Sequence, residues 1–411
     1  MPNSAFRIHG VGHGLADLIL PEVDFTSSLF QPYHSKFIGD GGLEMGKLVF
    51  LPDFLDFAKS SWDIILEQWT KGQGLTFNAG GPALVSMTLA AQLLNPSKIP
   101  VTFYGCSGDD GLGSRLRHLL AHTPLDLTCF RQRQGASACT WLGTDLRMEG
   151  GMVERFFIHS PGDVSFDLNI LGESFFQATF NVYAATALLP ELHSALPMLL
   201  AKGRRRGALN IVATIYDFQA EKSSPGKAWT LGIPESYSSI DLLVANSEEI
   251  RKLAGLSGIE ESAEALFQQG LTACIVTLGA QGVYHRSLGG IFGQTQGYVP
   301  AHPKIMEAVK NRPSNMGDTV GAGDNFLGGL LADLQMQILE DDFYPKGEIH
   351  IERELLEISP LRLRHAIDFG IVCGGLACLQ VGGLHLEKAP GDSLSQVRSY
   401  LPEPLPSGQR W

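Results

Sequence analysis

Asn315-Met-Gly-Asp-Thr-Val-Gly-Ala-Gly-Asp-Asn325 places Gly317, Gly321 and Gly323 just ahead of a stretch with helical spacing. Phe326, Leu327, Leu330, Leu331 and Leu334 mark one apolar face of that helix. Glycine admits φ > 0 and close approach of a ligand to the main chain. A helix start adds unpaired N–H groups and the positive end of the dipole. Together they suit an anion such as a phosphate. Asp324 is the odd member, because a carboxylate at the mouth of an anion site repels a ground-state phosphate. It makes sense if it faces a neutral hydroxyl and takes the proton as that oxygen attacks phosphorus. A helix N-cap Asp after a glycine-rich turn explains the same spacing.

Other stretches carry weaker signals. Asn78-Ala-Gly-Gly-Pro82 opens a helix with Pro82 at its first position, continued by Leu84, Met87, Leu89, Ala90, Ala91 and Leu94. Asn246-Ser-Glu-Glu249 reads as a near capping box. Thr277-Leu-Gly-Ala-Gln-Gly282 follows an apolar run, and its Thr-x-Gly-x-x-Gly spacing is unspecific alone. Gly10-x-Gly12 is no dinucleotide fingerprint, since Leu15 stands at the third glycine position and no helix follows. No Gly-x-x-x-x-Gly-Lys-Ser/Thr occurs, which excludes a P-loop.

The elements that must position these residues alternate. Phe180 to Ala185, Ala208 to Tyr216, Leu242 to Ala245 and Ala273 to Leu278 are β-rich apolar runs separated by helical segments. That rhythm predicts a parallel sheet with helices on both faces, and ligands bind beyond the carboxyl ends of such strands. Arg7 to Gly12 and Ala16 to Leu20 read as extended pieces, Lys47 to Leu51 as a strand, and Leu112 to Leu120 as a helix capped by Asp109 and Asp110. Ala136 to Leu142 and Val153 to His159 read as a hairpin turning at Gly150-Gly151. Alternation there sets Arg155, Phe157 and His159 on one face. The basic run Lys202 to Arg206 reads as a helix C-terminus complementing its dipole. Residues 341–360, acidic and bounded by prolines, read as a surface insertion, and Arg362 to Leu379 as the last core helix.

Composition bounds the partners. At 411 residues, with 44% hydrophobic residues and a net charge of −12, the chain can bury a large core and does not present a nucleic-acid surface. Its 6 cysteines have no C-x-x-C pair, so free thiols are expected. No signal pattern or uninterrupted membrane-length segment is read, and a cytoplasmic protein is expected.

Asp318-Thr-Val-Gly-Ala-Gly-Asp324 resembles the C-terminal signature of the ribokinase-like (PfkB) carbohydrate and nucleoside kinases, and the resemblance extends over roughly residues 5–390. It implies an α/β fold: a ribokinase-like three-layer sandwich with a central, mostly parallel sheet and a small β-sheet lid. Residues 1–20, 56–135 and 161–400 would form the core that binds nucleotide and substrate, 21–55 and 136–160 the lid, and 401–411 a tail. The resemblance implies transfer of the γ-phosphoryl of ATP to a hydroxyl of a sugar or sugar-like acceptor. Asp324 would be the base, with the amides of Gly321, Ala322 and Gly323 stabilising developing charge. Asp17, Gly80, Gly81, Arg155 and His159 would bind the acceptor. Asn246, Glu249, Thr277, Gly279 and Gly282 would serve the nucleotide, Glu249 holding Mg²⁺ through water. Asp318 stands where many members bind a monovalent cation, with K⁺ the candidate. A homodimer through the lid is the candidate assembly, with neither nucleic acid nor membrane as partner. Two departures bear on the acceptor and on the adenine of the nucleotide: Val85 stands where the family usually has Asn, and Ile371 and Val372 lie where it often has Asn in the last helix. The longer 21–75 segment is similar to the adenosine-kinase-like branch, so a nucleoside kinase is one alternative. A catalytically silent ligand-binding protein on the same fold is the other.

Overall fold

A computed structural model describes residues 6–21, 23–37, 39–145, 154–312, 317–340 and 353–401. The Gly150-Gly151 turn, most of the 341–360 insertion and nearly all of the tail lie outside these residues. In chain order the strands are β1 (Ile8–Val11), β2 (Leu15–Ile19), β3 (Leu48–Phe50), β4 (Thr76–Gly80), β5 (Val101–Gly108), β6 (Phe130–Arg133) and β7 (Cys139–Asp145). They continue with β8 (Glu154–Ser160), β9 (Phe180–Ala184), β10 (Leu209–Ala213), β11 (Leu242–Asn246), β12 (Ala273–Thr277), β13 (Val283–Ser287) and β14 (Thr295–Val299).

Nine of them form one sheet in the order β14-β13-β12-β11-β10-β9-β1-β5-β6, with only β13 and β14 joined antiparallel. Alternation along each strand feeds two cores, one per face. Val182, Ile211, Val244 and Ile275 face one core, and their neighbours Tyr183, Val212, Leu243 and Cys274 face the other. The first core is closed by the helices Pro82–Leu94, Ala322–Glu340 and Leu363–Ala377. Ala322–Glu340 is buried continuously from Asn325 to Ile338, so it has no solvent face over that span. Gly329 makes this possible: a Cβ there would lie 2.5 Å from the Sγ of Cys373. All 6 cysteines are free, as expected.

The remaining strands form a second sheet, β3-β8-β7-β2-β4. It extends past the lid limits drawn from the sequence. β2 pairs antiparallel with β4 and parallel with β7, so Leu15–Ile19 and Thr76–Gly80 belong to it rather than to the main sheet. One face carries Ala16, Leu18, Trp141, Phe156 and Ile158, packed with Phe54, Ile65 and Trp69 from the helices Leu51–Ala58 and Trp62–Thr70. Those helices therefore pack on this sheet, whereas the sequence alone places residues 56–75 with the core. They cover the outer face of this sheet. No helix among the described residues is long and apolar enough to cross a membrane.

The close helix contact yields a test of sign. In a helix interior Gly→Ala ordinarily gains about 1 kcal/mol, whereas overpacking a core costs about 1–3 kcal/mol. With Cys373 Sγ at 2.5 Å and its Cβ at 2.8 Å, Gly329→Ala should lower stability. Urea unfolding of the variant checks this, and a gain in stability would show that the two helices can move apart freely.

Candidate active site

The glycine loop is held in shape by its own polar residues. Gly317 and Gly321 have φ of 94° and 70°. A Cβ on Gly321 would lie 2.5 Å from the Cα of Gly383, so this loop and the 382–383 turn touch backbone to backbone. Asn325 fastens them by donating from Nδ2 to the carbonyls of Gly321 (2.8 Å) and Gly383 (2.9 Å). Asp318 does the same from the other side. Its carboxylate accepts the Val320 N–H at 2.9 Å and the Gly382 N–H at 3.3 Å. Both oxygens thus already bridge the two loops.

The helix starts at Ala322, and Asn325 returns its N–H to the Gly321 carbonyl at 2.8 Å. Gly321 is therefore the residue at the cap, and Asp324 is the third residue of the helix. The N-cap explanation of Asp324 is excluded by this geometry. Among the described residues nothing lies within 4 Å of where a Cβ on Gly323 would stand, so the helix start borders open space there.

Carboxylates from three segments converge on that space. Asp17, buried on β2, has its pKa pushed up to about 8 by burial first, then by the charges of Asp324 and Asp318. Asp324, half-buried, is pushed up to about 7 by burial and by Glu249, while Arg155 draws it back. Burial raises Asp318 too, against its two backbone hydrogen bonds and the charges of Arg155 and Arg312. Arg155 is thus close enough to act on both Asp318 and Asp324. Asp17 also packs on the double glycine, where a Cβ on Gly80 would lie 2.3 Å from its Oδ1. Gly81, at φ 96°, leads into Pro82–Leu94 with its Cα against the His13 carbonyl oxygen.

Register places the lid residues. Asp17 pairs with Thr140 and Thr140 with His159, so the three side chains share one face. Two residues along, Ile19, Leu142 and Phe157 share that face and pack on Val320 of the glycine loop. This is the inner face, and it brings Arg155, Phe157 and His159 to the cleft side together.

On the other flank Asn246 pairs with Thr277, so the two motifs end adjacent parallel strands. The capping box is real and reciprocal. Asn246 Oδ1 accepts the Glu249 N–H at 2.8 Å, and Glu249 Oε2 accepts the Asn246 N–H at 2.9 Å. Glu249 also accepts from Asn246 Nδ2 at 2.7 Å and from the Thr214 hydroxyl at 2.7 Å. Burial raises its pKa against these bonds. Gly279, at φ 57°, borders open space, whereas Gly282 packs on the Val299 carbonyl. Among the described residues no group of three His, Cys, Asp or Glu side chains could hold a metal.

Three residues near these groups escaped the sequence reading. His13 and Thr140 line the inner face beside Asp17, and Lys47 reaches from the lid to Glu248 at 3.3 Å and to the Tyr216 ring at 4.7 Å. Only Gly12-His13-Gly14 gave a local hint, a polar residue between glycines after a strand. Val85 is buried, its Cγ2 3.5 Å from where a Cβ on Gly383 would stand, so that position is core. Asp324 is not among the residues that border two cavities, one bordered by His13, Cys106 and Pro161 and one by Arg133, Asp163 and Asp167.

The chain is 23% identical to fructokinase-2 of Solanum lycopersicum, over 72% of this chain and 81% of that protein. It is 25% identical to the aminoimidazole riboside kinase of Salmonella typhimurium, over 56% of this chain and 67% of that protein. Among solved structures, ribokinase from Thermotoga maritima superposes with a TM-score of 0.58 at 15% identity, covering 96% of this chain and 99% of that one. Adenosine kinase from Sinorhizobium meliloti gives 0.64 at 14% identity, covering 97% and 100%. The pfkB family carbohydrate kinase profile matches residues 58–389, and the chain therefore belongs to that family of kinases.

Proposed function

We propose that the protein transfers the γ-phosphoryl of ATP to a hydroxyl of an uncharged sugar or sugar-like acceptor, with Asp324 as the base. The observation that carries this reading is Asp324 itself. It is a carboxylate in the first turn of a buried helix, beside open space, with a pKa raised to about 7. A base works best with its pKa near the working pH. Asp17, packed on Gly80, anchors acceptor hydroxyls, and Arg155 and His159 face the same space from the lid. The amides of Gly321, Ala322 and Gly323 meet the transferred group with fixed dipoles that need no reorganisation.

On the donor side Thr277, Gly279 and Gly282 follow the strand next to Asn246, and the open space at Gly279 fits a nucleotide. With no protein metal cage among the described residues, Mg²⁺ fits as an ion held by phosphates and water. Bound there it offsets triphosphate charge. Glu249, tied to Asn246 and Thr214, would orient its water shell. Asp318 would bound a K⁺ site only beside its two backbone bonds, and Arg312 already lends it positive charge.

The printed names of the curated relatives, a fructokinase and a riboside kinase, support a sugar-bearing acceptor. A nucleoside is the second reading, favoured by Phe50 and Phe157, whose rings share the inner face with His159 and could meet a base. A panel of sugars and nucleosides with Mg-ATP, read by ADP release, tests the proposal. Acceptor binding without any ADP release would indicate a silent binder instead.

Asp324→Asn keeps the shape but cannot take the proton. A positioned base is worth about 10²–10⁴-fold, so kcat should fall by that order while ATP affinity holds or improves. Turnover within a few-fold of wild type would remove Asp324 from the chemistry.

The raised carboxylates also oppose activity and stability. Below pH 7 Asp324 gains a proton, so kcat/KM should fall as pH falls through about 7. Stability runs the other way. Asp17 and Asp324 are protonated in the folded state at pH values where the unfolded state has lost those protons, so their contribution grows as pH falls from 8. The gain stops near the ordinary histidine pKa of about 6.5. Below it His9, His13, His159 and His385, held neutral by burial, bind protons only on unfolding and reverse the trend. Melting temperature and kcat/KM measured in one buffer series between pH 8 and 6.5 should diverge. A parallel decline of both would contradict the assignment.

A further inference from the structure

His13, Thr140 and His159 line the inner wall without a part in phosphoryl transfer. Thr140 Oγ1 lies 3.0 Å from His159 Nδ1, which ties down one ring nitrogen and leaves Nε2 at the other side of the ring. His159 is 1% exposed, and its Nε2 has no hydrogen-bond partner among the described residues. His13 comes from the core, in the link between β1 and β2. Its ring stands 5.8 Å from that of His159 in a T-shaped arrangement. It is 7% exposed, and its Nδ1 likewise has no partner among the described residues.

Buried polar groups in folded proteins are overwhelmingly paired. Two touching imidazoles that each lack one partner are poor packing residues, since a Phe would fill the same space without a stranded nitrogen. Their place argues for a ligand. His159 stands in one row with Asp17 through Thr140, and the His13 carbonyl lies 2.1 Å from where a Cβ on Gly81 would stand. Burial holds both rings neutral, with pKa values lowered to about 4 for His13 and about 3 for His159. A neutral imidazole nitrogen is a donor or an acceptor according to tautomer, and a hydroxyl answers either. Neither neutral ring offers the positive charge that an anionic group would need.

We propose that His13 and His159 are specificity-determining ligands of the acceptor, each hydrogen-bonding through its unpartnered nitrogen to a hydroxyl of an uncharged polyol. The assignment rests on the kinase reading above and deepens it. One partner is fixed to the core and the other is carried by the second sheet, so an acceptor lacking either hydroxyl strands a buried nitrogen.

Wild-type enzyme with Mg-ATP and D-fructose, D-ribose or adenosine, read by ADP release, first identifies a working probe. His13→Phe and His159→Phe should then each raise the KM for that probe roughly tenfold, the order of one lost buried hydrogen bond, with a smaller change in kcat. Their melting temperatures should hold or rise. His159→Gln, which keeps a donor and an acceptor, should recover part of the loss. Imidazole ¹⁵N spectra of the wild type give a readout free of folding defects: both histidine signals should shift when the probe binds. An unchanged KM in both Phe variants, or probe binding with neither imidazole signal moving, would overturn the assignment. A wild type that releases ADP with none of the probes defeats the kinase reading and the histidine roles with it, an outcome distinct from an active enzyme indifferent to both histidines.

Discussion

Negative charge crowded into a protein-lined cleft governs the rest of this structure. Asp17, Asp318, Asp324 and Glu249 come from three separate segments, and burial raises the pKa of every one of them. An isolated buried carboxylate is costly to ionise. The fold answers unevenly. Asp318 is satisfied by two backbone N–H groups and Glu249 by Asn246 and Thr214, so both are absorbed into the scaffold. Asp17 and Asp324 are pushed to about 8 and about 7. That asymmetry sets two carboxylates tied into the scaffold apart from two that are not.

The scaffold residues also explain why the loop can be rich in glycine and still keep one shape. Gly321 and Gly383 touch through backbone, and Asn325 and Asp318 clamp the contact from two sides. The helix behind them is buried along most of its length and cannot shift without moving Pro82–Leu94 and Leu363–Ala377. Open space at Gly323 is thus held between rigid neighbours, the condition under which fixed amide dipoles are most useful to a developing charge.

Much of this was legible in local pattern. Alternation in 154–160 put Arg155, Phe157 and His159 on one face, and register confirms that they share it. The strand–helix rhythm gave the parallel sheet, and Pro82 and Asn246 marked helix starts that the structure has. What was hidden is non-local. Nothing in Leu15 to Ile19 says that this strand leaves the main sheet to pair with β4 and β7, because pairing partners are set by surfaces far away in sequence. Trp62, Trp69 and Phe54 have helical spacing, yet only the outer face of the second sheet explains why they are there. His13, alone between two glycines, has no period to betray it. The position of Asp324 in its helix depended on whether the first turn starts at Ala322, a matter of one or two residues that spacing does not resolve.

The two sheets are joined in a way that bears on how acceptor and donor meet. β1 runs into β2 through only three residues, Gly12 to Gly14, and β4 runs into the helix Pro82–Leu94 through Gly81 alone. The β2–β4 edge, which carries Asp17, is therefore anchored to the core at two points beside His13 and the double glycine. β7, β8 and β3 lie progressively farther from that anchor, and β3 forms the opposite edge. There the outer part meets the core through Lys47 with Glu248 and through Asp53 with Lys222, whose oxygen–nitrogen distances are 3.3 and 2.8 Å. Exposed ion pairs of this kind are worth little individually, about 0–1 kcal/mol. Any closing motion thus has a stiff side at Asp17 and a yielding side at β3. An acceptor anchored by Asp17 would keep its place relative to Asp324 while the far edge moves to exclude water, so alignment and closure need not compete.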